Sequence, residues 1–240
     1  TQTAPSRKAL KTLLIVAVAA ALAVGAALVY VWFAGGSGQP EAAPTAPALV
    51  RQPDDPRTLY RIQPGASEVR FIITEELLGQ PTTVVGATDQ VTGDLLVDLA
   101  DPTTAELGAV RVNVNTLATD NELRNRALRG QILHSTQPEF AYAEFAPRQI
   151  TGLPRAARTG DTFTLTIEGT LRLRDVTQPV TFEAAVRVAA PDRLEGLARA
   201  QVLRDAYGLT IPSAPGVANV GSEVTLEIEF VADAVQPDSE

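Results

Sequence analysis

The sequence predicts an all-β domain: a closed or nearly closed antiparallel barrel of about eight strands with one short helix, behind a single transmembrane helix. Three observations predict it. Long stretches alternate apolar and polar residues with period two, Gly and Asp turn signals separate them, and only one segment has helical spacing. A fourth feature, at the N-terminus, sets where such a domain would work.

From Leu13 to Ala34 the chain has no charged residue, and Arg7, Lys8 and Lys11 stand just before it. At about 1.5 Å per residue this run is long enough to cross a hydrocarbon core of about 30 Å. The positive-inside bias orients residues 1–12 to the cytoplasm and everything after residue 34 across the membrane. Val31-Trp32-Phe33 is a poor approach to a signal-cleavage site, whereas Tyr30 and Trp32 suit the interfacial end of a span. The segment 13–34 therefore reads as a signal anchor in the cytoplasmic membrane. Residues 35–56, with Gly35-Gly36-Ser37-Gly38 and prolines at 40, 44, 47, 53 and 56, read as a linker. The domain follows over 57–234, and 235–240 read as a disordered tail.

Within the domain, Val69, Phe71 and Ile73 form one apolar series, and Val110, Val112 and Val114 a second. Phe163, Leu165 and Ile167 alternate with threonines. Val180, Phe182, Ala184, Val186 and Val188 form the longest series, and Val224, Leu226, Ile228 and Phe230 close the domain. Each has one apolar and one wet face, as in antiparallel strands around a single interior. Turns are expected at Thr92-Gly93-Asp94, Thr159-Gly160-Asp161 and Pro191-Asp192-Arg193. The helix is expected from Asn121 to about Leu133, with Asp120 as N-cap. An eight-stranded barrel can be filled by side chains or hold one small ligand. The aliphatic inward series leaves both readings open.

Charge and composition remove several function classes. Beyond residue 12 the chain carries 17 arginines against 28 acids, a balance that repels nucleic acid and anionic headgroups. With no cysteine there is no disulfide, thiolate metal site, cysteine nucleophile or lipoprotein acylation site. His134 is the only histidine, and beside Ser135 it lacks the orienting group and oxyanion hole of a hydrolase. Glu75-Glu76 reads as a solvated strand end. The acidic patches lack calcium-loop spacing, and no phosphate loop or dinucleotide fingerprint is present. No enzyme activity, metal or cofactor is expected.

The order of residues from about Leu59 to Ala232 resembles the YceI-like family. The landmarks are Tyr60-Arg61-Ile62 with Ser67-Glu68-Val69-Arg70-Phe71, Val91 to Leu95, and Val110 to Phe145 with its polar helix and Gln137-Pro138-Glu139-Phe140 return. The hairpin Gly169 to Val180 and the loop Arg204-Asp205-Ala206-Tyr207-Gly208-Leu209 follow. The resemblance implies a lipocalin-like barrel that binds a polyisoprenoid lipid, such as a polyprenyl quinone or prenyl phosphate, in an apolar interior. It points to Phe71, Ile73, Val112, Val114, Phe140, Tyr142, Leu165, Ile167, Phe182 and Val186 as pocket lining. Arg204 and Arg124 are the candidates for the headgroup. The other reading is a membrane-tethered module for protein interaction with a filled core. The sequence leaves a homodimer and the envelope type open.

Overall fold

The computed structural model describes residues 44–236. The proposed anchor at 13–34, the segment 1–12, linker residues 35–43 and most of the tail lie outside the described residues. Among the described residues no helix is long and apolar enough to cross a membrane.

Thirteen strands form one antiparallel sheet. They are β1 (Thr58–Ile62), β2 (Glu68–Leu77), β3 (Gln80–Thr88), β4 (Val91–Thr92), β5 (Asp94–Val97), β6 (Glu106–Leu107), β7 (Val110–Asn113), β8 (Tyr142–Thr151), β9 (Thr162–Leu173), β10 (Val176–Ala190), β11 (Arg193–Leu203), β12 (Val217–Ala218) and β13 (Glu223–Ala234). Several are pieces of one bent stave. β1 and β2 lie end to end along β13, through Ile62 opposite Ala232 and Phe71 opposite Leu226. Likewise β5 pairs with β1, β3 pairs with β2, and β4 between them pairs with β7 through Val91 and Val112. From β7 the ladders run through β8, β9, β10 and β11 back to β13. Counted this way, eight staves return on themselves, the number expected from the alternation.

Local chemistry explains the bends. Where β1 hands over to β2, Ser67 lies against the β13 backbone. It accepts from Val231 N at 3.0 Å and donates to Val231 O at 3.3 Å, so the ladder loses no polar partner there. Thr92-Gly93-Asp94, expected as a reversal, is instead a kink within the β3–β5 stave. A Cβ on Gly93 would sit 3.1 Å from Val110 Cγ2, so the neighbouring stave needs the close approach a glycine allows.

Among the described residues the one α-helix, α1 (Glu122–Ala127), continues as a wider turn over Leu128–Ile132, close to the expected extent. Its N-cap is Asn121 rather than Asp120. Asn121 has extended backbone and its Oδ1 accepts from Leu123 N and Arg124 N, while Asp120 pairs with Arg124 Nη1 at 2.7 Å. Residues 44–56, expected as part of the linker, are held against the barrel. Arg111 Nη1 donates to Thr45 O at 2.9 Å, and Leu49 N donates to the buried Asp94 carboxylate at 3.1 Å.

Candidate functional site

The inward faces of the strands do not fill the barrel. A cavity of about 220 Å³ lies at the end where α1 packs, lined almost wholly by apolar side chains. A second, of about 100 Å³, lies towards the other end. Val110, Phe145, Phe182 and Ile228 line both and so form the wall between them. The core of that wall is an edge-to-face contact of Phe145 and Phe182, with ring centroids 5.0 Å apart and planes at 76°.

Strand parity places most of the expected lining. Phe71 and Ile73 of β2, Val112 of β7, Val114 just after it and Phe182 of β10 border the larger cavity. Leu165, Ile167 and Val186 border the smaller one, together with Phe182. Phe140 and Tyr142 border neither. Cross-strand partners share a face, so Ala143 opposite Val112 points inward. Tyr142, one residue earlier, faces the other way, with the Arg111 guanidinium 4.8 Å above its ring. Phe140 ends the short turn Pro138–Phe140, which breaks the alternation that would have carried it inward.

Arg124 and Arg204 both border the larger cavity, and both are already engaged. Arg124 Nη2 meets Glu75 Oε1 at 2.8 Å and its Nη1 meets Asp120. Arg204 Nε donates to Gly221 O at 3.0 Å, and its Nη1 donates to Leu209 O at 3.2 Å and meets Asp205 Oδ1 at 2.8 Å. These bonds staple the loop after β11 to the segment before β13. The third bordering cation, Arg70, is held by Glu68, Glu227 and Glu229 on the sheet.

Two polar residues of the cavity escaped the sequence reading. Glu75, expected to be solvated, is buried and borders the cavity through its pair with Arg124, whereas Glu76 accepts from Asn219 Nδ2. Tyr207 sits at the end of the turn Arg204–Tyr207, closed by Gly208 at φ +63°, and is 2 % exposed. Its hydroxyl is buried without a hydrogen-bond partner among the described residues, and burial pushes its pKa up to about 12. Its position inside an Arg-x-x-aromatic-Gly run was the available signal.

The residues with hydrolytic potential are not assembled. His134, at φ +52°, lies 3.1 Å through Nε2 from Gln131 O, while the buried Ser135 hydroxyl turns to Asn115 Oδ1 at 3.4 Å. No group of three or more His, Cys, Asp or Glu that could hold a metal ion occurs among the described residues.

The fold has known counterparts. The family model described as the YceI-like domain matches residues 60–232. A polyisoprenoid binding domain from Saccharophagus degradans, implicated in plant cell wall breakdown, superposes with a TM-score of 0.59 at 14% identity, covering 73% of this chain and 98% of its own. BcnA of Burkholderia cenocepacia matches with a TM-score of 0.54 at 16% identity, covering 71% and 98% respectively. The YCEI protein of Campylobacter jejuni gives 0.51 at 13% identity, over 63% and 85%. At these identities the likeness is one of fold. Among curated proteins, none matches the sequence.

Proposed function

This chain belongs to the YceI-like family, and we propose that it is a membrane-anchored, extracytoplasmic protein that holds the tail of an isoprenoid lipid inside its barrel. The observation that carries the reading is the apolar cavity of about 220 Å³. It exceeds the roughly 150 Å³ of an engineered apolar cavity that takes up benzene, so it has room for part of a branched hydrocarbon chain. Each Å² of apolar tail removed from water contributes about 25 cal/mol. Tail burial then supplies most of the affinity, and a few polar groups set the orientation of the head. The similarity in fold to a polyisoprenoid binding domain supports the same reading. The anchor and the extracytoplasmic placement rest on the uncharged run of residues 13–34 behind three cations. A polyprenyl quinone and a prenyl phosphate are the two ligand classes.

Native mass spectrometry with lipid extraction tests this on the full chain, expressed in a bacterial envelope and released in mild detergent. The expected result is a co-purified prenyl lipid at near one-to-one stoichiometry. An empty protein that also refuses added prenyl quinones would overturn it and favour the interaction module.

A further inference from the structure

Tyr60 and Tyr207 are both almost wholly buried, at 1 % and 2 % exposed, yet their hydroxyls are treated differently. Tyr60 donates to Pro191 O at 2.6 Å, as a buried phenol should. The Tyr207 hydroxyl has no partner among the described residues, and its side chain borders the larger cavity. A buried donor left without an acceptor destabilises the folded state, so such a group calls for a partner that the described residues do not supply.

The charges around the cavity define what that partner is. Each bordering cation already has a carboxylate: Arg124 has Glu75 and Asp120, Arg204 has Asp205, and Arg70 has Glu68. A phosphate entering here would have to displace one of them and face the remaining acids. A neutral oxygen accepting from a phenol meets no such competition.

Resting on the isoprenoid reading above, we propose that Tyr207 is the polar anchor of the cavity, donating its hydroxyl hydrogen to an uncharged oxygen acceptor on the lipid. The ligand class is then a prenyl lipid with a carbonyl-bearing head, a quinone rather than a phosphate. The phenol suits the role because, with its pKa pushed up to about 12, it stays a donor throughout the physiological range.

The test compares the full wild-type chain with Tyr207→Phe, using a short-tailed prenyl benzoquinone, farnesyl phosphate and squalene as probes. Wild type should bind the quinone more tightly than the phosphate. The variant should lose about three- to tenfold of its quinone affinity, the worth of one hydrogen bond, and keep its affinity for squalene. Infrared spectra of carbonyl-labelled quinone should show a lowered stretching frequency in wild type that returns towards the free value in the variant. The thermal midpoint of the ligand-free variant should equal or exceed that of wild type, because an unpaired hydroxyl has been removed. Unchanged quinone affinity and carbonyl frequency, a lowered midpoint, or phosphate binding as tight as quinone would each overturn the anchor while leaving tail binding in place. Failure of wild type to bind any of the three, squalene included, would remove the lipid reading itself.

Discussion

Glu227 is a buried carboxylate on a strand that otherwise shows its acids to water. Its Oε1 accepts from Arg199 Nε at 2.7 Å and its Oε2 from Arg70 Nε at 3.3 Å, tying β13 to β11 on one side and β2 on the other. The Arg199 hydrogen bond is the largest influence on it. It holds the carboxyl below its ordinary value of 4.5, against the opposing effect of burial. A depressed native pKa stabilises the fold fully above the unfolded value and less as pH falls through the native one. Thermal midpoints measured between about pH 6 and pH 3 should therefore fall on the acid side of 4.5. Glu227→Gln should flatten part of that slope, and an unaltered slope would show that the pair contributes nothing. Residues of this kind were illegible in the sequence because their partners are remote. Arg70 and Glu227, or Arg124 and Glu75, meet only once the barrel has closed.

At the scale of elements, three strand glycines lie against aromatic rings. A Cβ on Gly86 would stand 2.2 Å from Phe71 Cε1, its cross-strand partner. On Gly196, opposite Phe230, it would meet both that ring and Ala185 O at 2.5 Å, and on Gly169 both Phe145 and Ala146 O at 2.5 Å. The difference lies in what can yield. The obstacle at Gly86 is a ring that borders the larger cavity, whereas Gly196 is also stopped by backbone. Gly196→Ala should cost about 1–3 kcal/mol by overpacking, read from urea denaturation. Gly86→Ala should cost less stability but push Phe71 into the cavity, lowering the lipid occupancy seen by native mass spectrometry. Equal losses of stability with full lipid occupancy would refute that distinction. The long strands were readable from alternation because one face of each is buried and period two survives over many residues. The two-residue strands β4, β6 and β12 are too short to carry a period, yet the barrel closes through β4. Parity brings Phe71, Val112 and Phe182 beside the cavity but not Tyr142, where the preceding turn resets the phase.

At the largest scale, residues 44–236 form a barrel divided across its length. The larger cavity lies between the wall and the helical end, and the smaller one on the far side of it. In the proposed function a tail entering from the Tyr207 end runs along the barrel until it meets the Phe145–Phe182 contact. The wall then limits how many isoprene units the protein accepts, and its removal should join the two volumes. Truncating a buried phenylalanine to alanine costs about 3–5 kcal/mol, enough to endanger the fold, so Phe182→Leu is the better probe. Leucine keeps most of the apolar volume but lacks the flat edge that seals against Phe145, and such swaps usually cost less than about 1.5 kcal/mol. Offered a mixture of prenyl quinones graded in tail length, wild type should select the shorter tails, and the leucine variant should shift towards longer ones in native mass spectra. A matched loss of affinity for all lengths would mean that Phe182 only packs the core. An unchanged distribution would mean that the tail stops short of the wall, so that the larger cavity alone measures it.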